Sequence, residues 1–197
     1  MREIGRLLNN ISNRKSDEIK KPAAGILPKG TLFFHHDRHR FAMVFTVAPD
    51  LRTIQVYQPD KSKIDVVVDM PELLIIFQAP STINVLCVIK GMVHIPALRN
   101  LGSDDGLLCV GNCPLPVYDE RTPIQIRNSV LETIFDGAFS DDMNSFGFSM
   151  NEFSEILKKT KDRKVNVTRE EFSARCKNLK INYCPLIEKL ANSFSNG

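Results

Sequence analysis

Tryptophan is absent from this 197-residue chain, tyrosine occurs three times and glycine only ten. So little glycine excludes a collagen-like chain, and a composition that is 43% hydrophobic and 25% charged excludes wholesale disorder. Nothing in the composition suits a coiled coil. No apolar stretch approaches the roughly 20 residues that a membrane helix needs. The longest lie near 73–77 and 85–89. The start, Met1-Arg-Glu-Ile-Gly-Arg6, is charged and has no apolar h-region behind it, so no secretory leader is read. The cysteines (Cys87, Cys109, Cys113, Cys176 and Cys184) are odd in number and widely spaced, which is not a disulfide framework. Together these absences predict an intracellular, cytoplasmic chain with reduced thiols. Phosphate-binding and dinucleotide-binding loops, the G-x-S-x-G elbow and H-E-x-x-H are all missing. The length suits one ordinary domain that buries its core without disulfides or metal.

What is present is charge in blocks. The net +3 hides three unlike segments. Residues 1–40 hold nine Lys/Arg against four Asp/Glu, 41–154 seven against fourteen, and 155–197 ten against five. A basic head (+5) and a basic tail (+5) therefore flank an acidic middle (−7). Such asymmetry points to nucleic acid or an anionic membrane. The same blocks are equally served by arms that pair with the acidic middle, in the fold or in a neighbouring copy.

Periodicity divides the chain into 1–25, 26–118 and 119–197. Met1, Ile4, Leu8 and Ile11 recur at helical spacing, giving a short amphipathic helix, followed by a polar linker broken by Pro22 and Gly25. That helix could dock on the body, on a partner or on a membrane surface, and its narrow stripe without large aromatics favours the body or a partner copy. From 26 to 118 the pattern is of strands: 32–34, 41–47, 53–57, 64–68, 73–77, 83–89 and 107–110. Turn chemistry separates them at Ala48-Pro49-Asp50, Gln58-Pro59-Asp60-Lys61, Gln78-Ala79-Pro80-Ser81 and Lys90-Gly91. Without crossover helices the sheet should be antiparallel, and 73–77 should be a central strand covered on both faces. After Tyr118 the period becomes helical. Thr122-Pro123 starts one helix, whose apolar face holds Ile124, Val130, Leu131, Ile134, Phe135 and Ala138. Capping boxes at Ser149/Glu152 and Thr168/Glu171 start two more, and Cys184-Pro185 a last one carrying Leu186, Ile187, Leu190 and Phe194. The fold class is α+β: a short N-terminal amphipathic helix, an antiparallel β sandwich or barrel, and a C-terminal helical cap.

The densest chemical cluster is Phe34-His35-His36-Asp37-Arg38-His39-Arg40-Phe41, placed by the pattern at a hairpin tip held by its two Phe residues. Imidazoles and guanidiniums on a rigid scaffold suit a phosphate or other anion. A second basic surface is the loop with Lys158, Lys159, Lys161, Arg163 and Lys164, continuing towards Arg169, Arg175, Lys177 and Lys180. It can track a phosphate backbone, but with few aromatics interleaved it cannot read bases by stacking. The candidate anion-binding set is thus His35, His36, Arg38, His39, Arg40, Lys158, Lys159, Lys161, Arg163 and Lys164. Either group can equally be a solvated turn or helix hairpin.

Other chemistries are thinner. His35-x3-His39 with Cys109-x3-Cys113 would assemble a zinc set only if two distant halves met, and Cys109 reads more simply as a buried strand residue, so no metal or cofactor is expected. Asp141 to Glu152 has the length of an EF-hand loop but Phe146 at its glycine position. The acidic turns 103–106 and 119–120 lack a converging partner set. The segment Leu27 to His35, with Phe41 to Thr46 and then Tyr57, resembles ADP-ribosyltransferase-like domains. The resemblance implies NAD held by His35 and Tyr57, although His36 stands where that family has Gly.

The leading expectation is a non-enzymatic interaction or assembly protein whose basic ends contact RNA or an anionic membrane surface, a charge layout shared with viral matrix- and capsid-associated proteins. The alternatives are an ADP-ribosyltransferase-like enzyme using the His35 strand, and a purely structural subunit that binds protein or itself.

Overall fold

The computed structural model describes residues 5, 8, 22–37, 40–57, 60–98, 100–111, 113–136, 138–139, 148, 151–152, 155 and 165–195. The expected strands form within 26–118 as β1 (Thr31–His36), β2 (Phe41–Val47), β3 (Asp50–Tyr57), β4 (Lys63–Met70), β5 (Glu72–Gln78) and β6 (Thr82–Ile89). A short strand not anticipated from the sequence, β7 (Met92–Ile95), follows the Lys90-Gly91 turn. Both turn residues have positive φ (51° and 75°), the geometry that matches strand twist in a two-residue hairpin. The expected strand at 107–110 is reduced to isolated bridges, Asn84↔Leu107 and Leu101↔Leu108.

β2 and β5 pair from Ala42↔Gln78 to Val47↔Leu73, and β3 and β4 from Asp50↔Met70 to Tyr57↔Lys63. The register runs through both pairs without a slip, so these four strands are one long antiparallel ribbon. Continuing that register sets Pro49 opposite Pro71. Neither has an N–H, so the ladder is interrupted on both sides at the same place. The ribbon changes sheet there. Ala48-Pro49-Asp50 is therefore a bend in a continuing ribbon and not the reversing turn that its composition suggests.

One end of the ribbon lies in a six-stranded sheet of order β1-β2-β5-β6-β7-β10 (Lys177–Asn182), the other in a four-stranded sheet of order β8 (Ala138–Phe139)-β3-β4-β9 (Val165–Val167). The added strands β8, β9 and β10 come from the segment expected to be helical. β8 and β9 add in parallel to the outer sides of β3 and β4, and β10 pairs antiparallel with β7. β5 lies between β2 and β6, with Leu73 to Phe77 fully buried, as its unbroken apolar run requires.

The helices begin where their caps place them. α1 (Pro123–Phe135) has a capping box between Thr122 and Gln125 with Pro at its start, and α2 (Arg169–Arg175) one between Thr168 and Glu171. In each, the hydroxyl accepts the N3 amide and the N3 side chain returns to the cap's own N–H. Ile124 stays exposed, and Ile126 joins Val130 and Ile134 in the core instead. α3 (Tyr183–Ser195) begins one residue before the expected Cys184 and buries Leu186 and Leu190. It contacts both β10 and β1, the two edges of the six-stranded sheet, a span suited to thirteen residues of helix at about 1.5 Å each. Strands and helices contribute to one core cluster, and Leu8 packs against it. The rest of the N-terminal helical stripe, the unit at 149–154 apart from residues 151 and 152, and Phe194's side chain lie outside the described residues. Among the described residues no helix is long and apolar enough to cross a membrane.

All five cysteines are free, but their surroundings differ. Cys87 is buried on β6 with its thiol against that of Cys176, which itself bonds the Phe172 carbonyl at 3.3 Å. Cys109 is exposed, contrary to its expected place in the core. It sits in the stretch that forms bridges and no strand, so neighbouring apolar residues do not carry it inward. The Cys176 thiol contact and burial hold the Cys87 pKa well above 9.0. At pH 8, iodoacetamide should therefore modify exposed Cys109 and Cys184 first, and Cys87 only after unfolding, as read by peptide mass spectrometry. A thiol whose folded pKa is raised contributes fully below its unfolded pKa near 9.0, and this contribution is lost as pH climbs towards the folded value.

Candidate functional site

The turn between β1 and β2 is built on an aromatic anchor. Phe41, only 2% exposed, meets Phe34 edge-on at 5.4 Å and Phe77 at 5.7 Å, and stacks on Tyr118 at 5.8 Å. His36 pairs across from Phe41 and tilts against its ring. The two strand ends are thus fixed, as the flanking Phe residues predict.

Asp37 then closes the turn. Its N–H donates to the Arg40 carbonyl at 2.9 Å, and its Oδ1 accepts the Arg40 N–H at 2.8 Å. Its Oδ2 lies 2.9 Å from Nε2 of His35, whose ring lies nearly parallel to that of Phe33 at 6.2 Å. Asp is suited to this position because a short carboxylate can satisfy backbone groups two or three residues on. His35 is half-buried, with 26% of its side chain exposed. Among the described residues its hydrogen-bond partner is Asp37, which fixes the orientation of the imidazole.

The structure brings together His35, His36 and Arg40 on this turn. Arg38 and His39 lie outside the described residues, as do Lys158, Lys159, Lys161, Arg163 and Lys164. The neighbouring cations of the tail are engaged with the acidic body. Arg169 holds Asp69 through two guanidinium nitrogens, Arg175 meets Glu152 at 2.5 Å, and Lys177 reaches Asp104 at 3.4 Å and the Ser103 carbonyl at 2.6 Å. Half-exposed pairs of this kind each contribute about 0–1 kcal/mol, but they remove these cations from the surface offered to a partner.

The two residues on which the resemblance to an NAD site rests lie on different sheets. His35 lies on β1 of the six-stranded sheet and Tyr57 at the end of β3 in the other sheet, with Lys63 over its ring. Among the described residues no three His, Cys, Asp or Glu side chains gather as a metal set. The acidic turn 103–106 has a structural task. Gly106 and Leu108 bond to β6 beyond the reach of β7, and Asn84 bonds the Asp105 carbonyl.

Sequence reasoning passed over two cations that the fold sets on aromatic rings. Arg52 on β3 stands 4.6 Å from the Phe135 ring centroid, and Arg127 on α1 stands 5.4 Å from that of Phe45. Arg52 follows the alternation that turns Ile54 and Val56 inward, and this was the only local signal available. Comparison with protein-family models, with curated proteins and with solved structures gives no match.

Proposed function

We propose that this chain is a non-enzymatic interaction protein that binds a phosphate-bearing partner, RNA in the first place, through the turn at 35–40 together with the basic stretch at 158–164. The observation that supports it is the use of Asp37. The single acid of the turn is folded back onto His35 and the Arg40 amide, so imidazole and guanidinium groups set the turn's charge. The aromatic anchor fixes the strand ends that carry His35, His36 and Arg40, which lowers the ordering cost of binding there. The pairing of Arg169, Arg175 and Lys177 with the body removes α2 and the start of β10 from this surface.

Anisotropy with a single-stranded RNA oligonucleotide, titrated over salt, tests the reading. Binding should weaken steeply between about 50 and 200 mM salt, because each neutralised phosphate releases a counterion. Joint replacement of His35, His36, Arg38, His39 and Arg40 by Ala should weaken it by about tenfold or more. Binding that ignores salt, or that survives this replacement, overturns the proposal. So does capture by phosphatidylserine vesicles with none by RNA, which would assign the turn to a membrane surface.

A further inference from the structure

The two faces of β1 carry different duties. Phe34 and His36 turn to the side where Phe41 anchors the turn. Phe33 and His35 share the opposite face, because side chains alternate along a strand. Their rings lie within 12° of parallel, with centroids 6.2 Å apart. Both residues are half-buried, and 26% of the His35 side chain stays open to solvent. Among the described residues β1 is the end strand of the six-stranded sheet. Opposite His35 on β2 stands Ala42, whose single methyl group does not rise over the imidazole.

Both rings are held in place. Phe33 packs against the core cluster, and Asp37 Oδ2 lies 2.9 Å from Nε2 of the imidazole. Little ordering is left to lose when a partner settles on them. Rings with a flank open to solvent take flat π partners, and every nucleobase has a π face. The cations follow at once in the chain. Arg40 is hydrogen-bonded to Asp37 across the turn, so rings and charge lie within a few residues of one another. A single strand needs this combination, with stacking for its bases and charge for the phosphates between them. A duplex presents phosphates but keeps its bases paired and stacked inside. The basic stretch at 158–164, with few aromatics beside it, offers charge alone.

We propose that Phe33 and His35 form a stacking platform for bases of single-stranded RNA, with the turn that follows them taking the phosphates. The platform rests on the reading of the turn as an RNA contact. It makes the partner an unpaired strand, held by its bases as well as by its phosphates. Stacking tolerates any base, so the platform confers preference for single strands and little for sequence.

The chain has no tryptophan, so Phe33→Trp sets a single indole on the platform. Titrations of the whole chain at matched ionic strength compare a short single-stranded RNA, its duplex, an abasic oligonucleotide of equal length and inorganic polyphosphate. The single strand should bind about tenfold or more tighter than the abasic oligonucleotide, and tighter than the duplex. In Phe33→Trp the single strand should quench the indole fluorescence, and polyphosphate should leave it unchanged. Phe33→Leu, which keeps an apolar side chain and loses the ring, should narrow the gap between intact and abasic strands by about fivefold or more. Thermal melts of both variants separate lost stacking from lost fold. Equal affinity for intact and abasic strands, duplex binding as tight as that of the single strand, or an unquenched indole in the complex overturns the platform and leaves the turn as a phosphate contact. Absence of binding to any of the RNA probes overturns the reading of the turn, and the platform with it.

Discussion

Replacing Gly106 with Ala should lower the unfolding free energy by about 3–5 kcal/mol. Gly106 has φ +67°, and a Cβ there would stand 2.4 Å from the Val85 carbonyl oxygen and 3.1 Å from Cδ2 of Leu86. A left-handed backbone costs a residue with a Cβ about 1–2 kcal/mol. The remainder comes from the collision, which no rotamer change relieves because the obstacle is backbone. The chain must move away from β6, and the rungs there are short: Val85 N–H to the Gly106 carbonyl at 2.8 Å, and Leu108 N–H to the Ile83 carbonyl at 2.8 Å. Urea denaturation should show a lower midpoint with little change in slope. Gly111 is the internal control. It too has positive φ, +52°, but nothing lies within 4 Å of its Cβ position, so Gly111→Ala should cost only the backbone part, about 1 kcal/mol. Equal effects at the two positions would show that the close approach to β6 is not tight.

Phe41→Ala should cost a similar amount, about 3–5 kcal/mol, through the cavity left between Phe34, Phe77 and Tyr118. Its second effect links packing to the proposed function. Phe41 is the first residue of β2 and pairs with His36, so losing its ring loosens the strand ends that the Asp37 turn closes. RNA affinity should fall in Phe41→Ala although the side chain is buried and touches no partner. Phe41→Leu, which keeps most of the volume, should cost under about 1.5 kcal/mol and hold the turn. Full RNA affinity in a folded Phe41→Ala protein would separate the anchor from the binding surface.

Much of the fold is written locally. Thr122-Pro123 and Thr168/Glu171 start helices where a hydroxyl and a returning side chain satisfy orphan amides, a matter of four consecutive residues. Lys90-Gly91 forms a two-residue hairpin turn in which Gly91 takes positive φ freely and Lys90 is drawn into it by the pairing of β6 with β7. The unbroken apolar run of β5 announces a strand with both faces covered. The turn at 35–40 is equally legible, since two Phe residues bracket a polar cluster. β10 is different. Lys177–Asn182 buries only Ile181 and carries charged and amide side chains, so its strand conformation depends on the open edge of β7. β8 and β9 are two and three residues long, and only the flanks of β3 and β4 make them strands.

The sequence by itself determined the order of periods, the capped helix starts, the buried central strand and the three blocks of charge. All of these follow from residues close together in the chain. The tertiary structure decided where the blocks go. It pairs Arg169, Arg175 and Lys177 with the acidic body, carries the late strands back into both sheets, and sets Pro49 opposite Pro71 to bend the ribbon. These are meetings between residues tens of positions apart, and local propensity carries no information about them, because pairing and Coulomb energy depend on distance in space.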